Sequence, residues 1–132
     1  MSIGKTTQIM GPVVDVMFES GELPEIYSAL EITLEDNSIL VCEVQQHLGE
    51  NTIRSISMGP TEGLARGMEA KSTGKPIQAP VGREVLGRII NVTGEAVDEM
   101  GPINNKEFLP IHREPPTFEE QETTAEMLVT GI

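Results

Sequence analysis

Leu30-Glu31-Ile32-Thr33-Leu34-Glu35-Asp36-Asn37-Ser38-Ile39-Leu40-Val41-Cys42-Glu43-Val44-Gln45 is the stretch on which the fold turns. Leu30, Ile32 and Leu34 alternate strictly with Glu31, Thr33 and Glu35. Successive side chains of a strand point to opposite faces, so the three aliphatics share one face and the polar groups the other. Asp36-Asn37 reads as a turn, because both side chains bond readily to nearby backbone and tolerate a left-handed φ. The strand that follows, residues 38–48, sets Leu40, Cys42 and Val44 against Val41, Glu43 and Gln45.

Upstream, residues 5–10 lead into Val13-Val14-Asp15-Val16-Met17-Phe18 through Gly11-Pro12, which reads as a bend or bulge rather than a full reversal. Ser20-Gly21-Glu22-Leu23-Pro24 breaks the chain. Downstream, Gly49-Glu50-Asn51 closes one strand and residues 52–58 form the next. Ile53 and Ile56 fall on opposite faces there, which predicts a bulge or burial on both sides. Gly59-Pro60 and Gly63 mark a loop, and residues 68–73 read as a last short strand before Gly74-Lys75-Pro76. About six short strands, with turn signals roughly every ten residues, predict a small closed β-barrel over residues 1–80.

The pattern changes beyond residue 80. Val85, Leu86, Ile89 and Ile90 follow Pro80-Val81-Gly82 at a spacing that makes one apolar stripe on a helix of two to three turns, ended by Gly94. Asp98-Glu99-Met100-Gly101-Pro102 is a turn, alone or within a short hairpin. Pro110 and Pro115-Pro116 enforce extended chain before Glu119, Glu120, Gln121 and Glu122, and Met127-Leu128-Val129 reads as a short strand or the approach to one. The fold expectation is mainly β: a six-stranded closed barrel, then a short helix and extended segments.

Lys and Arg number 9 against 21 Asp and Glu, a net charge of -12, which repels phosphate backbones and argues against nucleic-acid binding. The acidity is even: 11 acids and 5 bases in residues 1–80, 10 and 4 in residues 81–132. Aromatics are only 3% of the chain, with one Tyr, three Phe and no Trp, so the core must be aliphatic and no aromatic platform for a ligand is evident. Cys42, the only cysteine, excludes an internal disulfide and reads as a buried thiol in an apolar strand. No apolar run reaches ~18 residues, and no apolar segment follows Met1-Ser2-Ile3-Gly4-Lys5, so a soluble chain without export signal is expected.

The carboxylates, histidines and glycines are the groups that could carry chemistry. Glu119, Glu120 and Glu122 could serve as an acid/base pair only in a cleft that drives their pKa values apart, and a polar loop flanked by prolines supplies none. His47 and His112 have no cysteine or second histidine at ligand spacing. Each reads as a polar residue at a strand end or an interface. Gly59-Pro60-Thr61-Glu62-Gly63 carries no lysine and opens no helix, so it is a turn rather than a phosphate cradle. Gly82 precedes the expected helix, but Glu84 already occupies the positive end of its dipole. No residue is assigned a catalytic, cofactor-binding or metal-binding role.

Several strings, in order along the chain, together resemble the N-terminal region of the catalytic beta subunit of the F-type ATP synthase. Ile9-Met10-Gly11-Pro12-Val13-Val14-Asp15-Val16 is similar to that family's first barrel strands. Glu43-Val44-Gln45-Gln46-His47-Leu48-Gly49 and Thr52-Ile53-Arg54-Ser55-Ile56 resemble its middle strands, and Gly63-Leu64 with Arg66-Gly67 the loop after them. Pro80-Val81-Gly82, Leu86-Gly87-Arg88-Ile89, Asn91-Val92, Gly94-Glu95 and Asp98 resemble the segment after the barrel. Ile111-His112-Arg113, residues 115–120 and Thr130-Gly131-Ile132 resemble the crossing into the nucleotide domain. Residues 11–16 and 111–120 favour beta over the noncatalytic alpha subunit. Cys42 stands where the family has a larger aliphatic, and Ala96 where it commonly has proline.

The resemblance implies a crown barrel at residues 1–80 and, at residues 81–132, the truncated start of an α/β nucleotide-binding domain. It implies a parent translocase that makes or hydrolyses ATP with Mg²⁺, coupled to proton transport. Its partners would be alpha subunits in an alternating ring, with a central and a peripheral stalk. The location would be peripheral, on the cytoplasmic side of a membrane, without direct insertion. No Gly-x-x-x-x-Gly-Lys-Ser/Thr loop occurs in the 132 residues. By resemblance the ATP/ADP and Mg²⁺ sites belong to positions beyond Ile132, so no cofactor is expected in this stretch, which would serve ring assembly without catalysis. The alternatives are an alpha-type or other rotary ATPase fragment, and a free-standing β-barrel binding module.

Overall fold

In the computed structural model, residues 2–19 and 23–129 are described. Among them, six antiparallel strands close into a barrel: β1 (Ile3–Met10), β2 (Val13–Phe18), β3 (Ser28–Thr33), β4 (Ile39–Gly49), β5 (Thr52–Ser57) and β6 (Glu69–Pro76). Their order around the wall is β1-β2-β5-β4-β3-β6, and pairing of Gly4 with Ala70 joins the first to the last. Closure leaves no strand edge open.

The alternation that predicts β3 and β4 selects the core. Leu30, Ile32, Leu40, Cys42 and Val44 point inward with Val14, Val16, Phe18, Ile53 and Ala70, and all ten are buried. Leu34, just past the end of β3, packs half-buried against the same cluster, as do Leu23, Leu64 and Met68. The turn between the strands has Asn37 at φ +64, and the Ser38 amide donates to Asp36 Oδ1 at 2.9 Å. β1 passes close to β2 at Gly4, where a Cβ would lie 2.6 Å from Val16 Cγ1. Only glycine fits there.

Bulges bend the strands into the closed wall. They fall between Thr6 and Gln8 in β1, between Ser72 and Pro76 in β6 opposite Ser28 to Leu30 of β3, and twice in β4, between Val44 and Gln46 and between His47 and Gly49. The mismatch of Ile53 and Ile56 is resolved on that basis: the bulges sit in the partner β4, Ile53 is fully buried, and Ile56 faces outward at 39% exposure. Ser55 and Ser57 take the inward positions, and the Ser55 hydroxyl donates to the Val14 carbonyl at 2.7 Å.

Three local expectations are corrected. Gly11-Pro12 is a full reversal, because Met10 pairs directly with Val13. Gly11 has φ +58, the left-handed first position of a tight hairpin turn, and the Pro12 ring fixes the next φ near -65°. The helix of two to three turns contracts to one 3₁₀ turn, Arg83–Val85. No side chain caps it, Leu86 is already extended, and Gly87 turns left-handed at φ +73. The apolar stripe that suggested a helix has nothing to pack on: Leu86 and Ile89 are 68% and 63% exposed. Finally, residues 125–129 form no strand among the described residues.

In place of the helix, Ile90 bridges to Ala96 in a small hairpin, and the Val97 amide donates to the Ile89 carbonyl at 2.9 Å. Gly94, at φ +84, lies in its tip. A second sheet, unforeseen in the sequence, pairs β7 (Gln78–Val81) with β8 (Glu107–Pro110). The Ile111 amide continues it to the Ile77 carbonyl, at the exit of the barrel. The expected break at Ser20, Gly21 and Glu22 and the terminal Thr130-Gly131-Ile132 lie outside the described residues.

Candidate functional site

The outer wall of the barrel carries the chain's linked polar groups. On β2 and β5, Asp15 faces Arg54, whose Nε and Nη2 donate to Asp15 Oδ1 and Oδ2, both at 2.9 Å. The bidentate fork buries the carboxylate and raises the guanidinium pKa further. Both groups are fully engaged with each other. The pair is a cross-strand brace rather than a binding group.

β4 offers a less ordinary arrangement. Glu43 lies on the outward face, between Cys42 and Val44, yet is only 5% exposed. Gln45 Nε2 donates to its Oε1 at 2.6 Å, and His112 Nε2 lies 2.9 Å from its Oε2. The His112 ring stacks on Tyr27, with centroids 4.2 Å apart and planes at 24°. The sequence places these residues in three separate segments. The only hint was an acid in the middle of an apolar strand.

Beyond the barrel, Arg88 clamps Asp98 across the small hairpin, with Nε to Oδ2 at 2.6 Å and Nη2 to Oδ1 at 2.8 Å. The Arg88 guanidinium first, and then the backbone amides of Ile89 and Met100, hold the Asp98 carboxyl well below the usual carboxylate range. The arrangement fixes a turn, in which Glu99 and Gly101 both have positive φ.

The residues weighed for chemistry stay apart. Glu119, Glu120 and Glu122 are all exposed. Glu120 caps a local turn by accepting from the Thr117 amide at 2.9 Å, and that bond lowers its pKa. His47 donates its Nε2 proton to the Pro24 carbonyl at 2.7 Å, since a carbonyl can only accept. Among the described residues, no three His, Cys, Asp or Glu side chains gather as a metal site would require. In the 59–63 turn the Leu64 amide donates to the Thr61 carbonyl, and the Thr61 hydroxyl donates to the Gly11 carbonyl, tying this turn to the one between β1 and β2.

A cleft of about 440 Å³ lies between the barrel rim and the small hairpin, lined by Leu34, Leu40, Met58, Val92, Glu31 and Glu95 among others. Two glutamates and no base face it. Such a lining repels phosphate. No described helix is long and apolar enough to cross a membrane.

What the surface presents instead is a braced wall beside exposed apolar side chains. Leu86, Ile89, Val92, Val97 and Met100 are all more than half exposed on the hairpin segment, and Met17 and Ile56 are about 40% exposed on the barrel. Compared with known protein families, residues 6–74 match the beta-barrel domain of the ATP synthase alpha/beta family.

Proposed function

The chain belongs to the ATP synthase alpha/beta family, and from that premise we propose that it is the N-terminal portion of the catalytic beta subunit of a proton-translocating F-type ATP synthase. In this reading the barrel serves ring assembly with alpha subunits, and the chemistry of ATP synthesis and hydrolysis, with its ATP/ADP and Mg²⁺ sites, belongs to other parts of the parent. The complex would lie peripherally on the cytoplasmic side of its membrane, bound to a central and a peripheral stalk.

The observation that carries the reading is the coincidence of two boundaries. The family match at residues 6–74 overlays the closed barrel from β1 to β6, which among the described residues holds the buried hydrophobic cluster. Support for beta over alpha comes from residues 11–16, the β1–β2 reversal, and from residues 111–120, which include the segment crossing the outer wall. Exposed apolar groups beside that barrel support a role in packing against neighbouring subunits.

Sedimentation velocity separates the alternatives. Mixed with alpha subunits of the same complex, the chain should migrate in a mixed species, and mixed with beta subunits it should migrate alone. Pairing with beta and not alpha would assign it to the alpha type. Pairing with neither would leave the free-standing barrel module.

A further inference from the structure

We propose that His112 is a releasable latch that straps the chain after β8 to the barrel wall, and that Tyr27 is held in a strained backbone conformation to complete it.

Glu43 requires a cover. A carboxylate on the outer face of a strand normally points into water, and burying one without partners is costly. Each of its oxygens is satisfied once, by Gln45 from its own strand and by His112 from 69 residues away. Residues 113–129 are exposed. The Glu43 bond is the hydrogen bond by which residues 112–129 hold the barrel, among the described residues.

Tyr27 supplies the second half of the argument. Its φ is +69, a region that an aromatic residue enters only at a cost of about 1–3 kcal/mol. The core does not account for this, since its side chain is outside the buried cluster and the residue is 46% exposed. The backbone is pinned by the Tyr27 amide donating to the Val44 carbonyl at 2.8 Å, beside the same stretch of β4 that carries Glu43. Glycine would suit the position better on backbone grounds alone. What tyrosine adds is a flat face, and His112 lies on it. Release would free the Glu43 carboxylate and the Tyr27 ring together, so movement of the chain beyond β8 is reported at the β3–β4 wall.

The test is amide hydrogen exchange on the intact chain, with tyrosine fluorescence beside it. Tyr27 is the only tyrosine and there is no tryptophan, so its emission reads the stack directly. In His112→Ala, exchange in residues 107–114 should rise at least about tenfold, and iodide should quench Tyr27 more strongly, while the β4 and β5 amides keep their protection. Tyr27→Gly should loosen residues 107–114 likewise while the barrel melts at the same or a higher temperature, because the positive φ is relieved. Unchanged exchange or quenching in His112→Ala would overturn the proposal. So would loss of β4 and β5 protection in that variant, or a lower barrel melting point in Tyr27→Gly, since either would make the residue part of the barrel's own stability. None of these outcomes depends on which subunit type the chain is.

Discussion

Cys42 and Asp98 are two ionisable groups moved in opposite directions by their surroundings. Burial in the aliphatic core pushes the Cys42 thiol up to about 12. A thiol reagent at pH 8 should therefore label native protein only as fast as the barrel opens, and denatured protein at once. Comparable rates in the two states would mean that β4 is turned over in its register. Asp98 is displaced the other way. Its folded pKa lies below the ordinary value of 3.8, so its contribution to the hairpin is in full force above that pH. It is lost as the pH falls through the lower folded value. Protection of the Ile89 amide, which donates to Asp98 Oδ2, should be constant from pH 7 to about 4 and fall below that, with barrel amides as the reference. In Arg88→Ala the fall should begin at higher pH.

Among the elements, β3 tests the alternation most cleanly. Ile32 is fully buried and its neighbour Thr33 is exposed. Ile32→Ala should cost about 2–5 kcal/mol in urea unfolding, and Thr33→Ala under roughly 0.5. Equal costs would refute the assignment of faces. β3, β4 and their turn were legible in the sequence because a closed wall with one buried side imposes period two on every residue. The segment 85–90 misled for a related reason. An apolar spacing of one, three and four is a helix signal only if the stripe is buried, and here Gly87 breaks the helix and no partner covers Leu86 or Ile89. The β7–β8 sheet was not legible, and of the Glu43–His112–Tyr27 cluster only the acid in the middle of an apolar strand was. Both are formed by residues tens of positions apart, and nothing local records which strand a short segment such as Glu107–Pro110 will meet.

At the scale of the whole molecule, order is uneven. The barrel seals its own core, whereas residues 113–129 are exposed throughout, so that their backbone entropy has little burial to offset it. A barrel of this size should have a stability near the low end of ~5–15 kcal/mol. Limited proteolysis should cut first within residues 113–129 and leave the barrel intact, and first cuts within β3 to β5 would reverse that hierarchy. The same asymmetry bears on function, because the ordered part is a closed wall around an aliphatic core. On the proposed reading, the central claim is that these 132 residues contribute architecture and no nucleotide chemistry. Calorimetric titration with Mg-ATP and Mg-ADP tests it most directly. The account predicts no saturable heat up to about 1 mM nucleotide, weaker than roughly -4 kcal/mol. A saturable site tighter than roughly 100 μM, a free energy of about -5.5 kcal/mol, would contradict it.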